Sequence, residues 1–290
     1  MRFAFIIAAL LWLNAFPVRA QQADNSRRFW PPEFRPANTQ PQTKPSTGRY
    51  KTVRVARMPA QPASFGVTLW LLHATNDEGA RGLVRVKPPS RPDAPTELKQ
   101  ARRVPANTPL KVGQQVRLSV EVPQDGYLYV IDREQFADGS VGKPVLIFPD
   151  NPQGNAHKVK AGRVIELPDS ETYFEVERVS QESSQPLVSD LLTFIITSEP
   201  LSDVPPPPAK GSYYLPAALV AGWESAWRKP CQQLELAAAT GQPRSTAEQE
   251  ALTGTDKLLT RDDPLPQTVV RVAVKRGEPF LVQLPLRIVP

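Results

Sequence analysis

The chain has 290 residues, a net charge of +6 and a single cysteine, Cys231, so no internal disulfide frames the fold and its stability rests on an apolar core. Two histidines, His73 and His157, exclude a three-histidine metal centre within one chain, and the net charge is of the size that serves solubility.

Residues 1–20 read as a signal peptide. Arg2 is followed by an apolar run from Phe3 to Leu13, and Val18-Arg19-Ala20 closes it with residues suited to a cleavage site. The run is shorter than the ~20 apolar residues that span a bilayer, and no later stretch approaches that length. The mature chain is therefore expected in the periplasm or outside the cell, without a transmembrane segment. Residues 21–64 hold seven prolines and no apolar periodicity. They read as a disordered arm in which Arg27, Arg28, Arg35, Lys44, Arg49, Lys51, Arg54 and Arg57 face only Asp24 and Glu33. Such an arm suits contact with anionic surfaces and carries no preference for a specific nucleic acid.

From residue 65 onward, short β signals recur every 10 to 20 residues. Phe65 to Leu72 and Leu83 to Val86 have aromatic and β-branched strand content, and the polar stretch Pro88 to Pro109 reads as an exposed connector. Val116, Leu118, Val120 and Val122 alternate with Arg117, Ser119 and Glu121. The turn Pro123-Gln124-Asp125-Gly126 then leads into Tyr127 to Ile131, so the two strands are expected to form a hairpin. Asp132 to Lys143 reads as an exposed loop, with Asp138-Gly139 as its turn and Phe136 tucked back. Val145 to Phe148, Val164 to Leu167, Thr172 to Val176 and Leu191 to Thr197 read as further strands.

Residues 202–210 contain Pro205 to Pro208 and read as a stiff spacer. Leu215 to Lys229 is the one clear helix, with Leu219, Trp223 and Trp227 on one stripe. Cys231 follows it and is expected as a plain half-buried thiol. Ser245 and Glu248 have capping-box spacing for a short helix reaching Leu252. Thr268 to Val274 and Phe280 to Ile288 are expected as a closing pair of strands. They either pair with the main sheets or belong to an α+β region, 211–290, docked on them. The expected class is mainly β: an antiparallel β-sandwich with Ig-like layering, spanning residues 65–201, with a C-terminal helical insertion.

Candidate binding residues concentrate in Tyr127, Tyr129, Asp132, Glu134, Phe136, Asp138, Asp150 and His157. The tyrosines share one strand face, where they serve either core packing or a partner. Asp132, Glu134 and Asp138 lack the ligand alternation of a calcium loop, and Arg133 opposes a bound cation, so no metal and no cofactor is expected. A hydrolase with a site near His157, Asp150 and Ser140 is one alternative, although no nucleophile elbow or phosphate-loop motif marks it.

Several stretches carry a resemblance in their wording: GVTLWLL at Gly66, the run from Pro109 to Pro149 containing GYLYVID and IFP, VKAGRVIELP from Val159, and LLTFIITSEPL from Leu191. Together, over about residues 65–201, they resemble the bacterial family catalogued as domain of unknown function 4384. The resemblance implies a β-sandwich module of exported or envelope-associated proteins, of a kind found as an accessory beside protease-like, caspase-like or kinase domains. It supplies no catalytic residue. The expected function is a non-catalytic binding or scaffolding module that recognises an envelope protein or polymer through a strand edge or the loops around Asp132 and Asp150. A passive structural envelope component is the other alternative.

Overall fold

A computed structural model describes residues 62–289 apart from 78, 90, 92, 169–170, 178–184, 253–258 and 261. The expected signal peptide and residues 21–61 of the basic arm lie outside the described residues; residues 62–64, expected in the arm, open the first strand instead. The strands in chain order are β1 (Pro62–Ala74), β2 (Leu83–Val86), β3 (Glu97–Val104), β4 (Leu110–Lys111), β5 (Gln115–Glu121), β6 (Gly126–Asp132), β7 (Glu134–Phe136) and β8 (Val145–Phe148). They continue with β9 (Lys158–Val159), β10 (Val164–Leu167), β11 (Phe174–Glu175) and β12 (Leu187–Thr197). Helix α1 (Ala217–Trp227), β13 (Cys231–Glu235), a single 3-10 turn (Ala237–Ala239), helix α2 (Thr246–Leu252), β14 (Thr268–Ala273) and β15 (Phe280–Val289) complete the chain.

The protein is mainly β, with two sheets and few helices. The first sheet runs β10-β5-β1-β14-β13, with β11 also on β5, β3 on β1 and β2 on β3. The second runs β4-β15-β12-β6-β8, with β7 on β12 and β9 on β6. The named pairs are antiparallel except β4 with β15. One apolar core fills the space between the sheets. Phe65, Val67 and Leu69 of β1, Leu118 and Val120 of β5 and Val270 and Val272 of β14 meet Leu128, Val130, Phe194, Ile196, Val282 and Leu284 from the other layer. The rings of Phe65 and Phe194 lie 5.0 Å apart across it. Alternation along each strand produces this directly, because every second side chain faces the opposite sheet.

Several expectations need correction. The segments 115–121 and 126–132 are consecutive strands but not a hairpin: β5 pairs with β1 and β10, whereas β6 pairs with β12 and β8. The turn at Pro123 to Asp125 carries the chain from one layer to the other. Gly126 is required there for close approach, since a Cβ on it would lie 2.1 Å from the Thr197 carbonyl oxygen. The polar connector 88–109 contains β3, and the loop 132–143 contains β7, where Phe136 is indeed buried. β14 and β15 do not pair with each other: β14 lies between β1 and β13, and β15 lies between β12 and β4.

Both outer faces are partly covered. On the second sheet, Tyr129, Ile131, Leu146, Ile195 and Leu281 pack against Val204, Tyr213, Leu215, Val220 and Trp223, so the proline-rich segment and α1 lie across that face. Trp223 and Trp227 stack at 6.3 Å, as their spacing of four predicts. On the first sheet, Trp70, Leu72, Val84, Val86, Ala101 and Tyr173 form a smaller cluster beside α2.

Candidate functional site

The residues singled out from sequence lie on β6, an inner strand of the second sheet between β12 and β8, or in the segments that follow it, and they do not converge on one centre. Tyr127 and Tyr129 point to the outer face, as their spacing requires, and Tyr129 is fully buried. His157 is also fully buried, with its ring 5.1 Å from that of Tyr127 and 4.9 Å from that of Tyr129. The Tyr129 hydroxyl lies 3.1 Å from His157 Nε2 and accepts a hydrogen bond from the Leu201 N–H at 2.8 Å. Burial pushes the His157 pKa down and the Tyr129 pKa up, because both charged forms are denied water. The neutral imidazole is thus the resident form, and its Nδ1 is buried without a partner. Next along the same covering segment, Asp203 accepts from Trp223 Nε1 at 3.1 Å. The arrangement fastens residues 201–204 to the sheet; it offers no open face to a substrate.

At the end of β6 the chemistry changes. Asp132 lies on the inward-facing parity of Leu128 and Val130, and Asp190 shares that of Leu192 and Phe194 on β12. Register places Glu134 opposite Asp190. Desolvation raises the Asp190 pKa to about 8, with the negative charges of Asp132 and Glu134 adding to it. Burial first and Glu134 second raise Asp132 to about 6. One oxygen of Asp132 is buried without a hydrogen-bond partner. Like charges withdrawn from water at one end of the core favour keeping a proton among them. Arg133 points away from this group and pairs with Glu224 of α1. No group of three or more His, Cys, Asp or Glu among the described residues has the arrangement to hold a metal ion.

The remaining predicted residues sit apart. Asp138 and Ser140 are exposed in the turn after β7, where the Ser140 hydroxyl donates to Asp138 at 2.6 Å. That bond and the Ser140 N–H lower the Asp138 pKa. Asp150 is exposed after β8. Ser140 is therefore engaged with Asp138, and His157 with Tyr129. His73 is exposed and lines a cavity of about 210 Å³ with Lys99, Gly113, Gln114 and Gln115, where the β1–β5 ladder ends at Leu71 and Val116. Cys231 is exposed at the start of β13, not half-buried at a helix end.

Sequence reasoning missed a polar group on the outer face of the first sheet. Trp70 is buried between two guanidinium groups, Arg103 at 5.0 Å and Arg244 at 4.8 Å from its ring centroid, and its Nε1 donates to Ser119 at 2.7 Å. Arg103 pairs with Glu248 at 2.5 Å, Arg117 pairs with Glu166 at 3.1 Å, and Arg244 pairs with Glu166 as well. The three arginines are at most 5% exposed. The alternation that sets Arg117 and Ser119 on one strand face and the capping box at Ser245 and Glu248 were its traces in the sequence, but nothing joined them.

Residues 109–200 match the family described as Domain of unknown function (DUF4384), the family that the wording of the sequence resembles. The match spans β4 to β12; β1, β14 and β15, which complete the two sheets, lie outside it. No curated protein and no solved structure shows significant similarity to the chain.

Proposed function

We propose that this chain is an exported, non-catalytic binding module, layered in the Ig-like manner, that takes up an extended segment of a cell-envelope protein along the edge of its first sheet. The observation that carries this reading is β13. It ends the path of that sheet, its outer side is paired by no strand among the described residues, and Cys231, Gln232 and Gln233 are exposed on it. An unpaired row of backbone donors and acceptors is a template for an added strand, and natural edges are commonly blocked by lysine, proline or a bulge. None of these interrupts Cys231 to Glu235. The buried setting of Tyr129 and His157 supports anchoring of the covering segment in preference to catalysis. The basic arm, 21–61, would hold the module against an anionic surface.

A photo-crosslinking residue introduced at Gln232 in the native cell should capture one partner of defined size. Lysine at Gln233 should abolish that capture while leaving the circular dichroism spectrum unchanged. Equal capture from position 138, or capture that depends only on residues 21–61, would overturn the strand-edge reading.

A further inference from the structure

The outer face of the first sheet carries a second surface, which does not depend on the strand edge. Its composition is that of an interface hot spot: Trp70, Arg103, Arg117 and Tyr173, residue types over-represented where proteins bind tightly. In this structure a piece of the chain itself lies on it. Residues 241–243 run beside β3, with the Arg103 N–H donating to Gln242 O at 3.0 Å and the Gly241 N–H donating to Arg103 O at 2.8 Å. The segment then crosses Gly82, where a Cβ would lie 2.7 Å from the Arg244 nitrogen, and enters α2.

What holds this cover down is unusual for a packed helix. Glu248 is the only buried residue of α2, while Ala247, Ala251 and Leu252 are half-buried. The deep contacts are Glu248 to Arg103, Arg244 to Glu166, and Arg244 against the face of Trp70. Ser245 completes the geometry: its Oγ donates to Glu248 at 2.8 Å, and the Glu248 N–H donates back to it at 3.2 Å. Buried ion pairs return little net stability once desolvation is counted, and a seven-residue helix has no stability of its own. Few buried apolar contacts mark a segment for local opening at a cost below that of unfolding the sheets. Detachment leaves Arg103 without its carboxylate, Glu166 with Arg117 alone, and Trp70 open to a replacement of matching charge.

We infer that residues 242–252 are an intramolecular occupant of a recognition surface, and that its external ligand is a protein helix opening with the same pattern: arginine immediately before a serine cap and glutamate three residues after it. The tethered copy competes through its effective concentration, so the surface binds such a helix weakly until the cover is released.

Native-state hydrogen exchange on the full mature protein tests the opening without any substitution. Amides of α2 should exchange at least 100-fold faster than those of β1 and β5, at rates insensitive to low denaturant. A labelled peptide, QPRSTAEQEALT, should bind the Arg244→Gln/Glu248→Gln variant saturably and wild type at least tenfold more weakly. The same peptide with glutamine at its arginine and at the glutamate corresponding to 248 should not bind the variant. Exchange of α2 only with the global unfolding of β1 would overturn the inference. So would a variant with wild-type exchange in β1 and β5 that fails to bind the peptide, or that binds the glutamine peptide equally.

Discussion

Replacing Asp190 with asparagine should stabilise the protein at alkaline pH and leave it nearly unchanged in acid. In the folded chain the Asp190 carboxyl titrates at about 8, against about 3.9 for an exposed aspartate in the unfolded chain. The folded state therefore holds the proton more tightly. The stabilisation that goes with that proton is fully present below about pH 4 and is lost as the pH rises through the folded value near 8. Four units at ~1.4 kcal/mol each set an upper bound of about 6 kcal/mol. Because Asp132 shares the same proton and the charge of Glu134 relaxes with it, about 2–4 kcal/mol is expected at pH 8.5. Asparagine keeps the shape and cannot ionise. Urea unfolding at half-unit intervals from pH 4 to 8.5 should show wild type losing stability along this window while Asp190→Asn stays flatter, the difference between the curves growing with pH. Parallel curves, or a variant less stable than wild type at pH 8.5, would refute the assignment of a protonated carboxyl to Asp190 in the first half of β12.

His157→Phe should act in the opposite direction. The pKa of the buried imidazole is depressed, so its contribution is present above about pH 6.5 and lost as the pH falls toward the folded value; the stability of wild type relative to the variant should therefore fall between pH 7 and pH 5, read as the difference between the two urea curves. Gly126→Ala should cost about 2–4 kcal/mol in denaturant midpoint analysis, because its methyl group would meet the Thr197 carbonyl. Phe194→Ala should cost about 3–5 kcal/mol by removing the ring that meets Phe65 at the middle of the core, with thermal unfolding as the readout.

Strand faces were legible in the sequence and strand partners were not. Val116, Leu118 and Val120, and likewise Leu128 and Val130, point into the core as their alternation says. Nothing in the period of two states whether the next strand lies beside the first or opposite it, and at Pro123 to Gly126 the chain takes the second course. β3 escaped notice because Glu97 to Val104 carries Lys99, Arg102 and Arg103, and charge reads as solvent exposure until Glu248 and Trp70 are seen to bury Arg103. β13 escaped because an edge strand such as Cys231 to Glu235 needs no apolar face. The candidate residues were only partly informative for the same reason. Asp132 and Glu134 were visible together, but Asp190 joins them through register, and the partners of Trp70 are spread from Arg103 to Arg244.

The hand-over along β1 has a consequence for assembly. Its first half, Pro62 to Val67, is zipped to β14, and its second half, Leu69 to Ala74, to β3. β1, the first of the described strands, therefore waits for β14, about 200 residues later, before its ladder is complete, and β12 waits in the same way for β15. Contacts closed over so much chain make folding slow and leave sticky edges bare in the meantime. Loss of residues 268–289 would open both layers at once, so β14 and β15 are a condition for either sheet to close.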